Sequence, residues 1–159
     1  MKKRLGIIAV SIIIDQILKV IIYNTIGASG QTINLIPGIL QLTYVENTGA
    51  AFGFLNARLF LIIFDILIIF FIIKVLVDKK YPLNDKAKTG LSLIISGGIG
   101  NLIDRIFRGF VIDYIDITQI IDYPVFNFAD ILVVVGVILI IATIIVNTVK
   151  SQESINENV

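Results

Sequence analysis

An all-α membrane protein with four transmembrane helices, both termini cytoplasmic and a small extracytoplasmic β-sheet is the fold this sequence predicts. Two observations set the class. Of 159 residues, 57% are hydrophobic and 16% charged, whereas water-soluble domains are about a quarter charged. The apolar residues also gather into four long runs, and a helix needs about 20 mostly apolar residues to cross a bilayer core. A third observation, the distribution of Lys and Arg, sets the orientation.

The runs are Leu5 to Ile22, Ala57 to Val77, Ala87 to Phe107 and Phe128 to Val149. They are continuous and lack the two-residue alternation of barrel strands, so each predicts a helix. The first begins with Lys2, Lys3 and Arg4 and has the outline of a secretory signal peptide. Asp15 and Lys19 interrupt it, however, and Gly27-Ala28-Ser29 makes a poor cleavage site, so a retained first helix is expected. Lys74, Lys79, Lys80, Lys86 and Lys88 lie at or between the facing ends of the second and third runs, and Lys150 follows the fourth. Excess Lys and Arg marks the cytoplasmic side. Segments 23–56 and 108–127 then face outward.

Within the first outer segment, Ile33 to Ile36 and Leu40 to Val45 flank Pro37-Gly38, which reads as two short strands around a turn. A small sheet resting on the membrane surface is expected there. Residues 1–150 should form one membrane-embedded domain that includes the β-rich segment 23–56, followed by a disordered cytoplasmic tail over 151–159.

Composition also narrows the chemistry. The chain has no His and no Cys, which removes Ser-His-Asp triads, thiolate nucleophiles and the common zinc clusters. A net charge of +1 gives no case for nucleic-acid binding. Any catalysis must draw on carboxylates, Lys, Tyr, Ser or Thr. Six acids, Glu46, Asp104, Asp113, Asp116, Asp122 and Asp130, gather at the outer interface with Asn47, Asn101, Arg105 and Asn127. A charge at the centre of a spanning helix costs roughly 2.5 to 3.5 kcal/mol, so such groups need a reason, and one outer site drawing on several helices supplies it.

Asp15 and Lys19, at i and i+4, share one face of the first helix. They form either an ion pair that eases insertion or a support for the outer site. Asn101, Asp104, Arg105 and Arg108 close the third helix, where cations also suit the negative helix end. Asn127 with Asp130 three residues later is the pattern of a capping box, compatible with holding a working carboxylate rigidly. Asn47, Gly49 and Ala50 lie in a small-residue run where backbone can approach another element closely. Asp65 has no evident partner in sequence. Spacing alone leaves the choice among Asp104, Asp113, Asp116 and Asp122 open.

Five segments carry a family resemblance: Asp15-Gln16-Ile17-Leu18-Lys19, Asn47-Thr48-Gly49-Ala50-Ala51-Phe52-Gly53, Gly100-Asn101-Leu102-Ile103-Asp104-Arg105, Val111-Ile112-Asp113-Tyr114 and Phe126-Asn127-Phe128-Ala129-Asp130. In this order they resemble bacterial lipoprotein signal peptidase (signal peptidase II), an integral membrane aspartyl protease. The resemblance implies that Asp113 and Asp130 are the catalytic pair. It further implies that Asn47, Gly49, Ala50, Asn101, Asp104, Arg105, Asn127 and Ala129 bind substrate or support the site, with Asp15 and Lys19 behind them. The implied substrate is a prolipoprotein cut just before its diacylglyceryl-modified Cys, at the extracytoplasmic face of the bacterial cytoplasmic membrane. Membrane lipid is the other partner, the protein is expected to be a monomer, and neither cofactor nor metal is implied. Two readings from other classes stand beside it: a small proton- or ion-coupled carrier built on Asp15, Lys19 and Asp65, and a non-catalytic membrane scaffold.

Overall fold

The structure is a computed structural model that describes residues 2–49, 57–78, 80, 81 and 83–156. It contains α1 (Lys2–Ile22), a π-helical turn (Tyr23–Gly27), β1 (Ile33–Ile36), β2 (Leu40–Asn47), α2 (Ala57–Val77), α3 (Asp85–Phe107), β3 (Val111–Asp116) and α4 (Phe128–Asn156). All four helices are long and apolar enough to span a membrane. The large apolar side chains left exposed on them, such as Ile13, Ile17, Phe64, Leu67, Phe71 and Ile138, suit contact with lipid rather than water.

Helix α3 is the hub, packing against α1, α2 and α4. Its small residues make this possible. A Cβ on Gly90 would fall 2.7 Å from the Gly136 carbonyl oxygen, and one on Gly136 would fall 2.6 Å from the Gly90 carbonyl oxygen. Gly97 likewise gives way to the Ala129 carbonyl of α4. In lipid, helices associate through such close packing because the tails are as apolar as Leu. At the basic end, Arg4 of α1 pairs with Asp85 at 2.9 Å and donates to the Thr89 hydroxyl, setting α1 and α3 parallel. Asn84 caps α3 by accepting from the Ala87 amide.

The sheet at the other end has the antiparallel order β1-β2-β3. Val45 opposes Asp113 and Asn47 opposes Val111, with an irregularity between Leu42 and Val45. Ile22, Ile26, Ile112 and Tyr114 form a buried cluster that seats the sheet on the C-terminal end of α1. Beside the expected hairpin, the third strand is new: sequence placed 108–127 in an outer segment and assigned no strand there. Its run Val-Ile-Asp-Tyr-Ile-Asp is short and almost wholly buried, so it has no polar-out alternation to read. Helix α4 also continues past Val149 to Asn156 through the mostly polar residues 151–156, where a disordered tail was expected from 151. Outside the bilayer a helix needs no apolar face to propagate from an existing turn.

Candidate active site

Two carboxylates from different elements meet at the junction of sheet and helices. Asp113 is carried by β3 and is 3% exposed; Asp130 sits in the first turn of α4. Three asparagine amides bracket them. Asn47, at the end of β2, donates through Nδ2 to Asp113 Oδ2 at 2.8 Å, and Asn127 Nδ2 donates to Asp113 Oδ1 at 2.6 Å. Asn101 Nδ2 donates to Asp130 Oδ1 at 2.8 Å, while the Asn127 backbone N–H donates to Asp130 Oδ2 at 3.0 Å. Each of the four carboxylate oxygens therefore accepts a donor. The capping box is present as well: Asn127 Oδ1 accepts from the Asp130 amide at 3.1 Å. One Asn thus terminates a helix and joins two acids.

Electrostatics separate Asp113 from an ordinary carboxyl. Burial pushes it up to about 6, the Asn47 hydrogen bond opposes that rise, and the nearby Asp130 charge adds to it. A carboxyl poised in this range exchanges protons near neutral pH.

Beneath the pair lies a fully buried ion network. Lys19 Nζ lies 3.0 Å from both Asp15 Oδ2 and Asp104 Oδ2 and donates to Asn101 Oδ1 at 2.8 Å. That last bond fixes the Asn101 amide with its nitrogen toward Asp130. Asp15 Oδ1 accepts from the Ala129 amide at 3.1 Å, and Asp104 Oδ2 accepts from the Ile112 amide at 3.1 Å. One ammonium therefore ties together the supports of α4 and β3, the two elements that carry the acids. Asp104 also pairs with Arg108, and Gln16 bonds the Gly100 carbonyl.

The residues 7–146 match the family model described as Signal peptidase (SPase) II. The chain belongs to the signal peptidase II family. The lipoprotein signal peptidase of Clostridium acetobutylicum is 37% identical over 148 residues, covering 92% of this chain and 96% of that protein. The lipoprotein signal peptidase of Streptococcus pyogenes serotype M5 is 41% identical over 144 residues, covering 89% and 93%. A solved bacterial membrane enzyme, determined by the in meso method at 1.9 Å resolution, superposes with a TM-score of 0.81 at 34% identity, over 91% of this chain and 93% of that one. Signal peptidase II is a protease family, and the carrier and scaffold readings find no support among these relatives.

Of the residues singled out for signal peptidase II chemistry, the fold brings together Asp113, Asp130, Asn47, Asn101 and Asn127, with Asp15, Lys19, Asp104 and Ala129 directly behind. Gly49 lies beside them at φ +69° with its amide donating to Asn47 Oδ1, a conformation that favours glycine. Ala50 lies outside the described residues. Arg105 was expected to line the site with Asn101, yet it turns to α2 and pairs with Asp65 at 2.8 Å. The reason is charge: Asp65 is the acid of α2 facing α3, and both side chains gain from leaving lipid together. Sequence supplied no partner for Asp65, because residues 65 and 105 are far apart along the chain. Gln16 and Arg108 are supports that sequence reasoning did not single out as site residues. The former lies inside the matched segment Asp15 to Lys19, which was the available signal.

Proposed function

We propose that this chain removes the signal peptide from diacylglyceryl-modified prolipoproteins by aspartyl proteolysis, cutting before the lipidated Cys. The supporting observation is the pair Asp113 and Asp130, held by three asparagine amides at the end of the helical bundle. Two neighbouring carboxylates do not both ionise cheaply, so they share one proton. The ionised member takes a proton from a water as that water attacks the scissile carbonyl. The protonated member donates to the carbonyl oxygen, and the amine leaves with a proton drawn from the pair. Burial and the neighbouring Asp130 charge raise Asp113, which favours one proton shared by the pair. No covalent intermediate or metal is required, which accords with a chain that has no His or Cys.

The excess of Lys and Arg at the opposite end supports a cytoplasmic placing of both termini, with the site at the extracytoplasmic face of the cytoplasmic membrane. We take the enzyme to act as a monomer in contact with membrane lipid, the contact that the large apolar side chains exposed on its helices suit. Purified protein with a lipidated prolipoprotein peptide tests the assignment. Asp113→Asn and Asp130→Asn should each keep helical circular dichroism and lose cleavage by orders of magnitude. Normal turnover in either variant removes that residue from the pair.

A further inference from the structure

Gly97 of α3 meets Ala129 of α4 and Gly90 meets Gly136, so the two helices run antiparallel. Beyond the Gly90 contact, α3 has only Asp85 to Thr89 left, whereas α4 continues from Val137 to Asn156. Helix α4 therefore outruns its partner, and a cleft of about 520 Å³ opens between the start of α3 and the far half of α4. The cleft lies at the end of the bundle rich in Lys and Arg, and neither Asp113 nor Asp130 lines it.

Its lining is graded from apolar to basic. Leu139, Ala142, Val146 and Lys150 are spaced i, i+3, i+7 and i+11, so they share one face of α4. That face is apolar from Leu139 to Val146 and turns polar at Asn147 and Lys150. Thr143 on the same face is buried, and its hydroxyl already donates to the Leu139 carbonyl at 2.8 Å. The floor of the groove thus asks for no polar partner. Across the cleft, α3 contributes Asn84, Asp85 and Lys86. Among the described residues Asp85 is the one acid in the lining, and Arg4 meets its charge at 2.9 Å. Lys86 and Lys150 are exposed and, among the described residues, take part in no ion pair. Their long stems can follow apolar surface while the ammonium groups stay at the polar mouth. Two uncompensated cations at the mouth of an apolar groove complement an anionic head with a hydrocarbon tail.

We propose that this cleft binds an anionic phospholipid from the membrane, its phosphate between Lys86 and Lys150 and one acyl chain along Leu139, Ala142 and Val146. A zwitterionic lipid carries an amine that both ammonium groups repel, and a free phosphate leaves the apolar floor unfilled. The bound lipid joins α3 and α4 where their own packing has ended, so it stabilises the folded protein by mass action. None of this depends on the protease reading.

The test uses full-length protein in detergent, titrated with phosphatidylglycerol or phosphatidylcholine and followed by native mass spectrometry and by the midpoint of thermal unfolding. Phosphatidylglycerol should stay bound and raise the midpoint, and phosphatidylcholine at the same concentration should do neither. The double variant Lys86→Ala with Lys150→Ala should weaken phosphatidylglycerol binding by about 30-fold, at about fivefold for each lysine near a lipid head group. Lys74→Ala with Lys80→Ala removes as much charge outside the cleft and should bind as wild type does. Equal binding of the two lipids, or equal losses in the two double variants, overturns the site in favour of diffuse surface charge. Val146→Trp fills the groove and should lose the lipid; wild-type binding in that variant overturns the acyl-chain path. Displacement of phosphatidylglycerol by glycerol phosphate at equal concentration would reveal a soluble-anion site and overturn the lipid assignment. If the Lys86 and Lys150 double variant does not fold, the preference of wild-type protein between the two lipids decides by the same criterion.

Discussion

Replacing Asn47 with Ala tests how the acid pair is tuned. Asn47 Nδ2 donates at 2.8 Å to Asp113 Oδ2, and this bond favours the ionised carboxylate. Burial already holds Asp113 up to about 6 against that bond. A hydrogen bond to a charged group contributes roughly 1.5 to 3 kcal/mol. The lower end applies here, because Asn47 is exposed and water replaces part of what the amide supplied. At 1.36 kcal/mol per unit, the loss corresponds to about one pH unit. The direction is upward: without its donor, ionised Asp113 is less stable and the shared proton leaves at higher pH. Activity that depends on that proton declines as pH rises through the dyad's upper ionisation, so the alkaline limb of kcat/KM should move to higher pH by about one unit. The assay is cleavage of a lipidated peptide across a pH series, reading the limb position rather than the plateau, since Asn47 could also touch substrate and change the plateau alone. An alkaline limb that stays in place, or moves toward acid, refutes the account of what tunes Asp113.

Lys19→Met removes the cation shared by Asp15 and Asp104 and leaves two buried acids without it; a loss of about 3 to 5 kcal/mol is expected, seen as a lower midpoint of thermal unfolding in detergent, and an unchanged midpoint would sink the hub assignment. Gly97→Ala places a Cβ against the Ala129 carbonyl, which is backbone and cannot swing aside, so α3 and α4 must separate and both thermal stability and cleavage should fall; wild-type values for both would show that the contact is slack. Arg58 donates to the Arg105 and Ile106 carbonyls at 2.8 Å and 2.9 Å, capping the negative end of α3, so Arg58→Ala should cost only about 0.3 to 1 kcal/mol in unfolding free energy and leave cleavage measurable. A complete loss of cleavage with the helices intact would assign Arg58 a role beyond the cap.

The spans were legible because lipid imposes one rule on every residue it touches: each run must be apolar and long enough to satisfy its own backbone. That rule is local, so the ranges 57–77 and 128–149 could be read directly from the chain. The hairpin around Pro37-Gly38 was legible for a similar reason, since turn chemistry is written in adjacent residues. The asparagines and the acids of the candidate site were also visible as polar residues in costly positions, though spacing alone did not choose Asp113 among its neighbours; the family motifs did.

What sequence could not give is the pairing of distant groups. β3 is nearly all buried and has no alternation, so its partnership with β2, which brings Asn47 to Asp113, appears only when the sheet is assembled. Arg105 shares a helix face with Asn101, yet it serves α2 through Asp65, because α2 and α4 occupy neighbouring flanks of α3. Lys19 could be paired with Asp15 from their i, i+4 spacing, but not with Asp104 or Asn101. Local rules set which segments enter the membrane and which residues are costly there. Only close packing at Gly90, Gly97 and Gly136 decides which helices approach, and therefore which of those costly groups satisfy one another.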